Sequence, residues 1–310
     1  MPPSIVEAKL SDYTTFQLGG MCRGLINAET PDDCRNAVKY LNEQNLPFIV
    51  IGSGSNLVVS DQGIDCHVIR YVSDAPIFDF DQSDVIVSGS TNLNVFVNVM
   101  AQIGLGGVNY CSGIPGTVAG AVVGNAGAFG RQIGDVLKSV RVISPQGEEK
   151  TITADELEFS YRHSKLKETD DIVLEVTLVL ESSDSDALLA EREQILKARA
   201  EKHPDLSKEP CAGSFFRNIE PTSDAGKRQA AGWFLDQAGG KELKAGGAYI
   251  FDKHANIIIK GKDATSEDVF SLSKKMQDLI MNAYQLELIR EVRFVGAFNE
   301  KPGSVTDIIW

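Results

Sequence analysis

The spacing of hydrophobic positions changes period several times along the chain, and each change marks an element. After Thr30-Pro31-Asp32, a capping residue followed by proline in the first helical turn, Cys34, Ala37, Val38 and Leu41 recur at helical spacing until Pro47. Residues 48–51 (Phe-Ile-Val-Ile) are an apolar run too short for a helix and read as a buried strand. A glycine-rich loop separates this run from a second one at 57–59, and 68–69 predicts a further strand. Downstream, 85–87 predicts a strand, 93–103 an apolar helix, 137–143 and 149–152 a hairpin about Pro145-Gln146-Gly147, and 172–180 an alternating strand. Residues 184–202 predict a charged amphipathic helix linking domains, 230–238 a helix, 248–251 and 257–259 strands, 266–286 a long helix and 291–295 a last strand. Strands and helices interleave irregularly, which predicts an α+β fold rather than a doubly wound sheet.

Composition narrows the function. With 310 residues, 30 Lys+Arg and 43 Asp+Glu, the net charge is −13. Non-specific binding to nucleic acid or to an anionic membrane is disfavoured, whereas an anionic small molecule in a locally suited site is not. Cys22, Cys34, Cys66, Cys111 and Cys211 form no C-x-x-C pair, and the four histidines have no ligand spacing, so no metal is expected. There is no basic and apolar leader and no run of 18 apolar residues, so the expected location is a reducing cytoplasm.

The strongest anomaly is the stretch 85–130, which contains no Asp, Glu, Lys or Arg. It holds the second of two glycine loops, Gly113-Ile114-Pro115-Gly116-Thr117 continuing to Asn125-Ala126-Gly127-Ala128-Phe129-Gly130; the first is Gly52-Ser53-Gly54-Ser55-Asn56-Leu57. Glycines let backbone N–H groups approach phosphate oxygens closely without any Lys or Arg, and small side chains leave room for a flat ring. The fourfold spacing of Gly116, Gly120 and Gly124 also fits a close helix contact. Neither loop is a P-loop, and neither is the G-x-G-x-x-G of a dinucleotide-binding helix. A nucleotide held by some other fold is the better reading.

In this setting the chain resembles the UDP-N-acetylenolpyruvoylglucosamine reductase family. The resemblance runs from Tyr13 to Gly296. Both glycine loops carry it, together with Thr15-Phe16 and Gly19-Gly20, Tyr161-Arg162-His163-Ser164, Ala212-Gly213-Ser214-Phe215-Phe216, Lys253-His254-Ala255-Asn256 and Glu291-Val292-Arg293. It implies a two-lobed FAD-binding domain of the vanillyl-alcohol-oxidase type (1–72 and 73–200) followed by an α+β substrate-binding domain (201–310), with a return of the last segment to the FAD domain left open. The short span after Ser164 resembles the subtype without an extra substrate-covering loop. Thr14, Ala119 and Arg217 depart from the usual pattern, where Asn, Gly and Lys are frequent.

The family's activity is NADPH-dependent, FAD-mediated reduction of UDP-N-acetylglucosamine enolpyruvate to UDP-N-acetylmuramate. By resemblance, FAD contacts fall on Gly52, Ser53, Gly54, Ser55, Asn56, Leu57, Ile114, Pro115, Gly116, Thr117, Asn125, Gly127, Ala128 and Gly130. The flavin is expected to be non-covalent, since only Tyr110 and Cys111 stand beside the second loop as nucleophiles. Arg162 is expected to bind the substrate carboxylate, which its planar fork suits. Ser214 is expected to give the proton, and Glu291 to polarise the carboxylate, which requires that Glu291 carry or share a proton. Tyr161, Lys202, Asn218 and His254 are expected to contact the UDP-sugar. Another flavin oxidase or dehydrogenase of the same fold, or a catalytically silent nucleotide-binding homologue, are the alternatives.

Overall fold

The computed structural model describes residues 2–81, 84–220 and 228–299, and the backbone of 308–309. The chain divides into two compact units: residues 1–6, 24–53 and 67–199 in the first, residues 7–23, 54–66 and 200–310 in the second.

In the first unit the helix Pro31–Glu43 begins on a reciprocal cap, in which the Thr30 hydroxyl accepts from the Asp33 N–H and the Asp33 carboxylate accepts from the Thr30 N–H. Its buried stripe, Cys34, Ala37, Val38 and Leu41, packs with Ile26, Ala28, Ile69 and Tyr71. These come from a three-stranded parallel sheet with His67–Tyr71 between Gly24–Ala28 and Phe48–Ile51. A five-stranded antiparallel sheet runs in the order Glu149–Thr153, Leu137–Ile143, Ile172–Val179, Asp84–Ser88, Phe78–Asp81. Its Val85, Val87, Val140, Val142, Val176 and Leu178 share one core with Phe96, Val97 and Met100 of the helix Leu93–Gln102. That core is built largely from the charge-free stretch.

The glycine spacing 116/120/124 resolves into a short helix, Val118–Val123, with Thr117 as its N-cap and Gly124 as its C-cap. The charged helix expected at 184–202 spans Ser185–Lys202, and the boundary between the units falls in its last turn. Arg192 fastens it to the first unit by donating to Asn94 Oδ1 (3.0 Å) and Asn98 Oδ1 (3.1 Å).

The second unit centres on an aromatic core of Phe215, Phe216, Phe270, Phe294 and Phe298. Phe270 meets Phe294 edge-on at 5.1 Å and stacks on Phe298 at 5.2 Å. The helix Ser266–Tyr284, capped by Thr265 and Asp268, packs beside the small antiparallel sheet Lys244–Ala245, Ala248–Ile250, Ile258–Lys260. The strand Arg293–Val295 runs parallel to Leu57–Val59, with Arg293 opposite Leu57, so a segment from early in the chain completes this unit.

Candidate active site

Each unit carries part of the expected site. In the first, the strand Phe48–Ile51 delivers Gly52, whose missing side chain leaves room for Thr117: a Cβ there would lie 2.9 Å from Thr117 Oγ1. The loop 113–117 is pinned by hydrogen bonds rather than by bulk. The Gly113 N–H donates to Asn94 Oδ1 (2.9 Å), Arg199 donates to the Gly113 carbonyl (3.2 Å), and the Leu93 N–H to the Gly116 carbonyl (3.0 Å). Gly113 and Gly116 both adopt positive φ. Burial holds the neighbouring Cys111 thiol up at about 12, so it carries almost no thiolate at neutral pH.

Asn125 is buried and left-handed. Its amide donates to Gln132 Oε1 and the Ser160 carbonyl, both at 2.8 Å, and accepts from the Gly134 N–H at 3.2 Å. The side chain therefore holds the loop together. Arg162 also adopts positive φ, +56°, at the tip of a turn closed by Ser160 and His163. Its Nη2 donates to the Gly127 carbonyl (2.9 Å), and its guanidinium lies 5.3 Å from the centre of the Tyr161 ring. Left-handed conformations at Asn125, Phe129 and Arg162 place local strain where the expected contacts cluster.

In the second unit, Ser214, Glu291 and Asn56 share one hydrogen-bonded frame. The Glu291 N–H donates to the Phe215 carbonyl (2.9 Å), Asn56 Nδ2 to the Glu291 carbonyl (3.0 Å), and the Arg293 N–H to the Asn56 carbonyl (3.0 Å). Gly213 has positive φ and no atom within 4 Å of where a Cβ would be, so space is open beside the half-buried Ser214. Gly54, at φ +63°, packs its Cα face against the Tyr13 carbonyl.

Asn256 is a residue that sequence reasoning did not assign to the site. Only 2% exposed, it accepts from the Phe216 N–H (3.0 Å) and donates to the Phe216 carbonyl (2.8 Å), while its own carbonyl takes the Phe215 N–H (2.7 Å). Its N–H donates to His254 Nδ1 (3.2 Å), which leaves the imidazole proton on Nε2. Burial, with Lys241 and Lys202 nearby, lowers the His254 pKa, so the ring is a neutral donor at pH 7. His254 packs 3.1 Å from where a Gly232 Cβ would sit, with His203 6.0 Å away ring to ring. Lys202 is exposed, and Asn218 accepts from the Ala231 N–H (3.4 Å). The available signal was a single polar residue inside the apolar run 255–259.

The residues present suit FAD. Between 85 and 130 no carboxylate opposes a pyrophosphate, the Thr117 hydroxyl stands at the N-terminus of the helix Val118–Val123, and the glycines keep the loops low. Among the described residues no group of three His, Cys, Asp or Glu could hold a metal ion, and no helix is long and apolar enough to cross a membrane.

Comparison with known proteins gives a consistent result. Residues 22–153 match a family model described as an FAD binding domain, and residues 204–295 match the UDP-N-acetylenolpyruvoylglucosamine reductase, C-terminal domain. Relatives named UDP-N-acetylenolpyruvoylglucosamine reductase include one from Alkaliphilus oremlandii, 32% identical over 94% of this chain and 93% of its own. Another, from Anoxybacillus flavithermus, is 34% identical over 93% of each. The crystal structure of the UDP-N-acetylenolpyruvylglucosamine reductase from Thermus caldophilus superposes with a TM-score of 0.76 at 30% identity, covering 94% of this chain and 99% of that one.

Proposed function

Because the chain belongs to the UDP-N-acetylenolpyruvoylglucosamine reductase family, we propose that Arg162, Ser214 and Glu291 divide the chemistry of its reaction between them. The protein is an FAD-dependent oxidoreductase that uses NADPH to reduce UDP-N-acetylglucosamine enolpyruvate to UDP-N-acetylmuramate, a step of peptidoglycan synthesis. FAD, held by the two glycine loops, would supply hydride chemistry with NADPH as the reductant.

Hydride addition to the terminal alkene carbon leaves negative charge on the neighbouring carbon and its carboxylate. Arg162 grips that carboxylate with its planar fork and spreads the charge. Glu291 polarises the same carboxylate, and Ser214 delivers the proton to the carbanionic carbon. The observation that supports this assignment is the hydrogen bond from the Glu291 N–H to the Phe215 carbonyl, which ties the backbone of the serine segment to the backbone of Glu291. Neutral His254 donates through Nε2 to the diphosphate oxygens, with Lys202, Asn218 and Tyr161 completing the hold on the UDP-sugar. Gly52 to Leu57, Ile114 to Thr117 and the backbone of Asn125, Gly127, Ala128 and Gly130 hold FAD. The high, buried Cys111 thiol supports a non-covalent flavin. In this division 1–72 and 73–200 are the lobes of the flavin domain and 201–310 binds substrate, and residues 54–66 pack in the compact unit of 200–310, where Leu57–Val59 pairs with Arg293–Val295. Its partners are small molecules, and neither nucleic acid nor membrane is among them. Soluble substrates, NADPH and free buried thiols support a cytoplasmic location.

Stopped-flow flavin absorbance separates the two half-reactions. Reduction by NADPH needs no proton for the substrate carbon, so Ser214→Ala reduces its flavin at the wild-type rate. Reoxidation by the enolpyruvyl substrate slows by about 10²–10⁴-fold, the worth of a positioned proton donor. Equal slowing of both halves would refute the assignment.

A further inference from the structure

Ser214 follows a glycine that stands in open space, with φ +71° and no atom within 4 Å of a Cβ position. Gly213 therefore gives the serine little lateral support, and its placement depends on the residues after it. Phe215 and Phe216, 0% and 1% exposed, anchor the segment in the aromatic core. Burial is non-directional, however, and does not fix the segment along its own length; hydrogen bonds do.

Those bonds run to two distant segments. The Phe215 carbonyl accepts from the Glu291 N–H (2.9 Å), and Phe216 faces Arg290 across an antiparallel bridge. Ser214 itself bridges Ile257, and the Phe215 N–H donates to the Asn256 carbonyl (2.7 Å). Both backbone groups of Phe216 go to the Asn256 side chain, at 3.0 and 2.8 Å. A side chain here does what a neighbouring strand does elsewhere, and at 2% exposure water cannot take its place. The Asn256 N–H has a different task, donating to His254 Nδ1 at 3.2 Å. One residue thus serves two parts of the site by separable means, its side chain holding the serine segment and its main chain the histidine.

We propose that the Asn256 side chain is a positioning residue for proton transfer. It fixes the segment that carries Ser214, and with it the reach of the serine hydroxyl to the carbanionic carbon. The inference rests on Ser214 being the proton donor, and the experiment tells the failure of one from the failure of the other.

Reoxidation of the reduced, flavin-loaded protein by the enolpyruvyl substrate is followed by stopped-flow absorbance at pH 8 in Ser214→Ala, Asn256→Asp and the double variant. Asn256→Asp keeps the volume and the bond from the Phe216 N–H but, ionised, loses the bond to the Phe216 carbonyl. Its limiting reoxidation rate falls by roughly 10–100-fold, as expected for a displacement of about 1 Å. The half-saturating substrate concentration stays within about twofold of wild type, because the main-chain bond to His254 is intact. Limiting reduction by NADPH is unchanged. With Ser214 absent there is no donor left to misplace, so the double variant is no slower than Ser214→Ala alone. Unfolded molecules lower the amplitude and leave the rate. Asn256→Ser, uncharged and too short to reach Phe216, gives the same pattern and stands in where the aspartate does not fold. Reoxidation of Ser214→Ala at the wild-type rate would remove the proton-donor assignment, and the proposal with it. With Ser214→Ala slow, three results overturn the proposal alone: wild-type reoxidation in both Asn256 variants, a change confined to the half-saturating concentration, or a full further slowing in the double variant. Failure of both Asn256 variants to take up flavin would make the residue structural only and overturn it as well.

Discussion

Changing Asn256 to Asp alters one side-chain group, yet the hydrogen bonds around it make the effect depend on pH. In the native protein the amide answers both backbone groups of Phe216, at 3.0 and 2.8 Å, from a position only 2% exposed. In the Asn256→Asp variant an ionised carboxylate still accepts from the Phe216 N–H, but its second oxygen faces the Phe216 carbonyl with no proton between them. Burial and the lost donor both favour the neutral acid, so the folded-state pKa rises well above the unfolded value of about 3.9. A group raised in this way stabilises fully below the unfolded pKa and loses that contribution as pH rises through the folded value. With a folded value near 7, the cost relative to wild type grows from about 1.5 kcal/mol at pH 5 to about 4 kcal/mol at pH 8. Urea unfolding of both proteins at the two pH values measures it. Asn256→Ala, which removes both bonds, should show a penalty of about 2–5 kcal/mol with no pH dependence. A penalty for Asn256→Asp that is equal at pH 5 and pH 8 refutes the reasoning.

Arg162→Lys keeps the charge but loses the fork and the bond to Gly127, so turnover should fall by about 10²–10³ while FAD stays bound; steady-state assay and absorbance spectra check this. Gly54→Ala would drive a methyl into the Tyr13 carbonyl at positive φ, whereas Gly130→Ala meets nothing within 4 Å; thermal melts should show a loss of about 3 kcal/mol for the first and about 1 kcal/mol for the second. All five thiols are buried, and burial raises Cys34 and Cys111 to about 12 and Cys66 and Cys211 to about 11. At pH 8 a thiol reagent should therefore label the native protein slowly and release five equivalents only on unfolding.

What could be read in the sequence was local. The helix Pro31–Glu43 announces itself through a capping pair and four apolar residues at helical spacing, and Phe48–Ile51 through an unbroken apolar run. The strand Phe78–Asp81 was missed because it lies at the edge of its sheet, where Phe80 remains exposed and no buried face organises the pattern. The 127–132 hairpin was missed because Phe129 is not a turn residue. For the candidate site, residue types at motif positions named Ser214, Arg162 and Glu291, but the frame around Ser214 and Glu291 comes from hydrogen bonds to backbone groups of distant segments. Asn256 reaching Phe216, and Asn56 reaching Glu291, leave no periodic trace.

The pairing of Leu57–Val59 with Arg293–Val295 has a consequence for biosynthesis. The early strand leaves the ribosome with its partner still some 230 residues from being made, a wait of roughly 10–50 s at ordinary elongation rates. During that interval Val58, later fully buried, has no partner strand beside it. The second unit cannot close until residues 293–295 have been made, and nascent chains halted before residue 293 should be preferred clients for chaperones that hold exposed apolar strands.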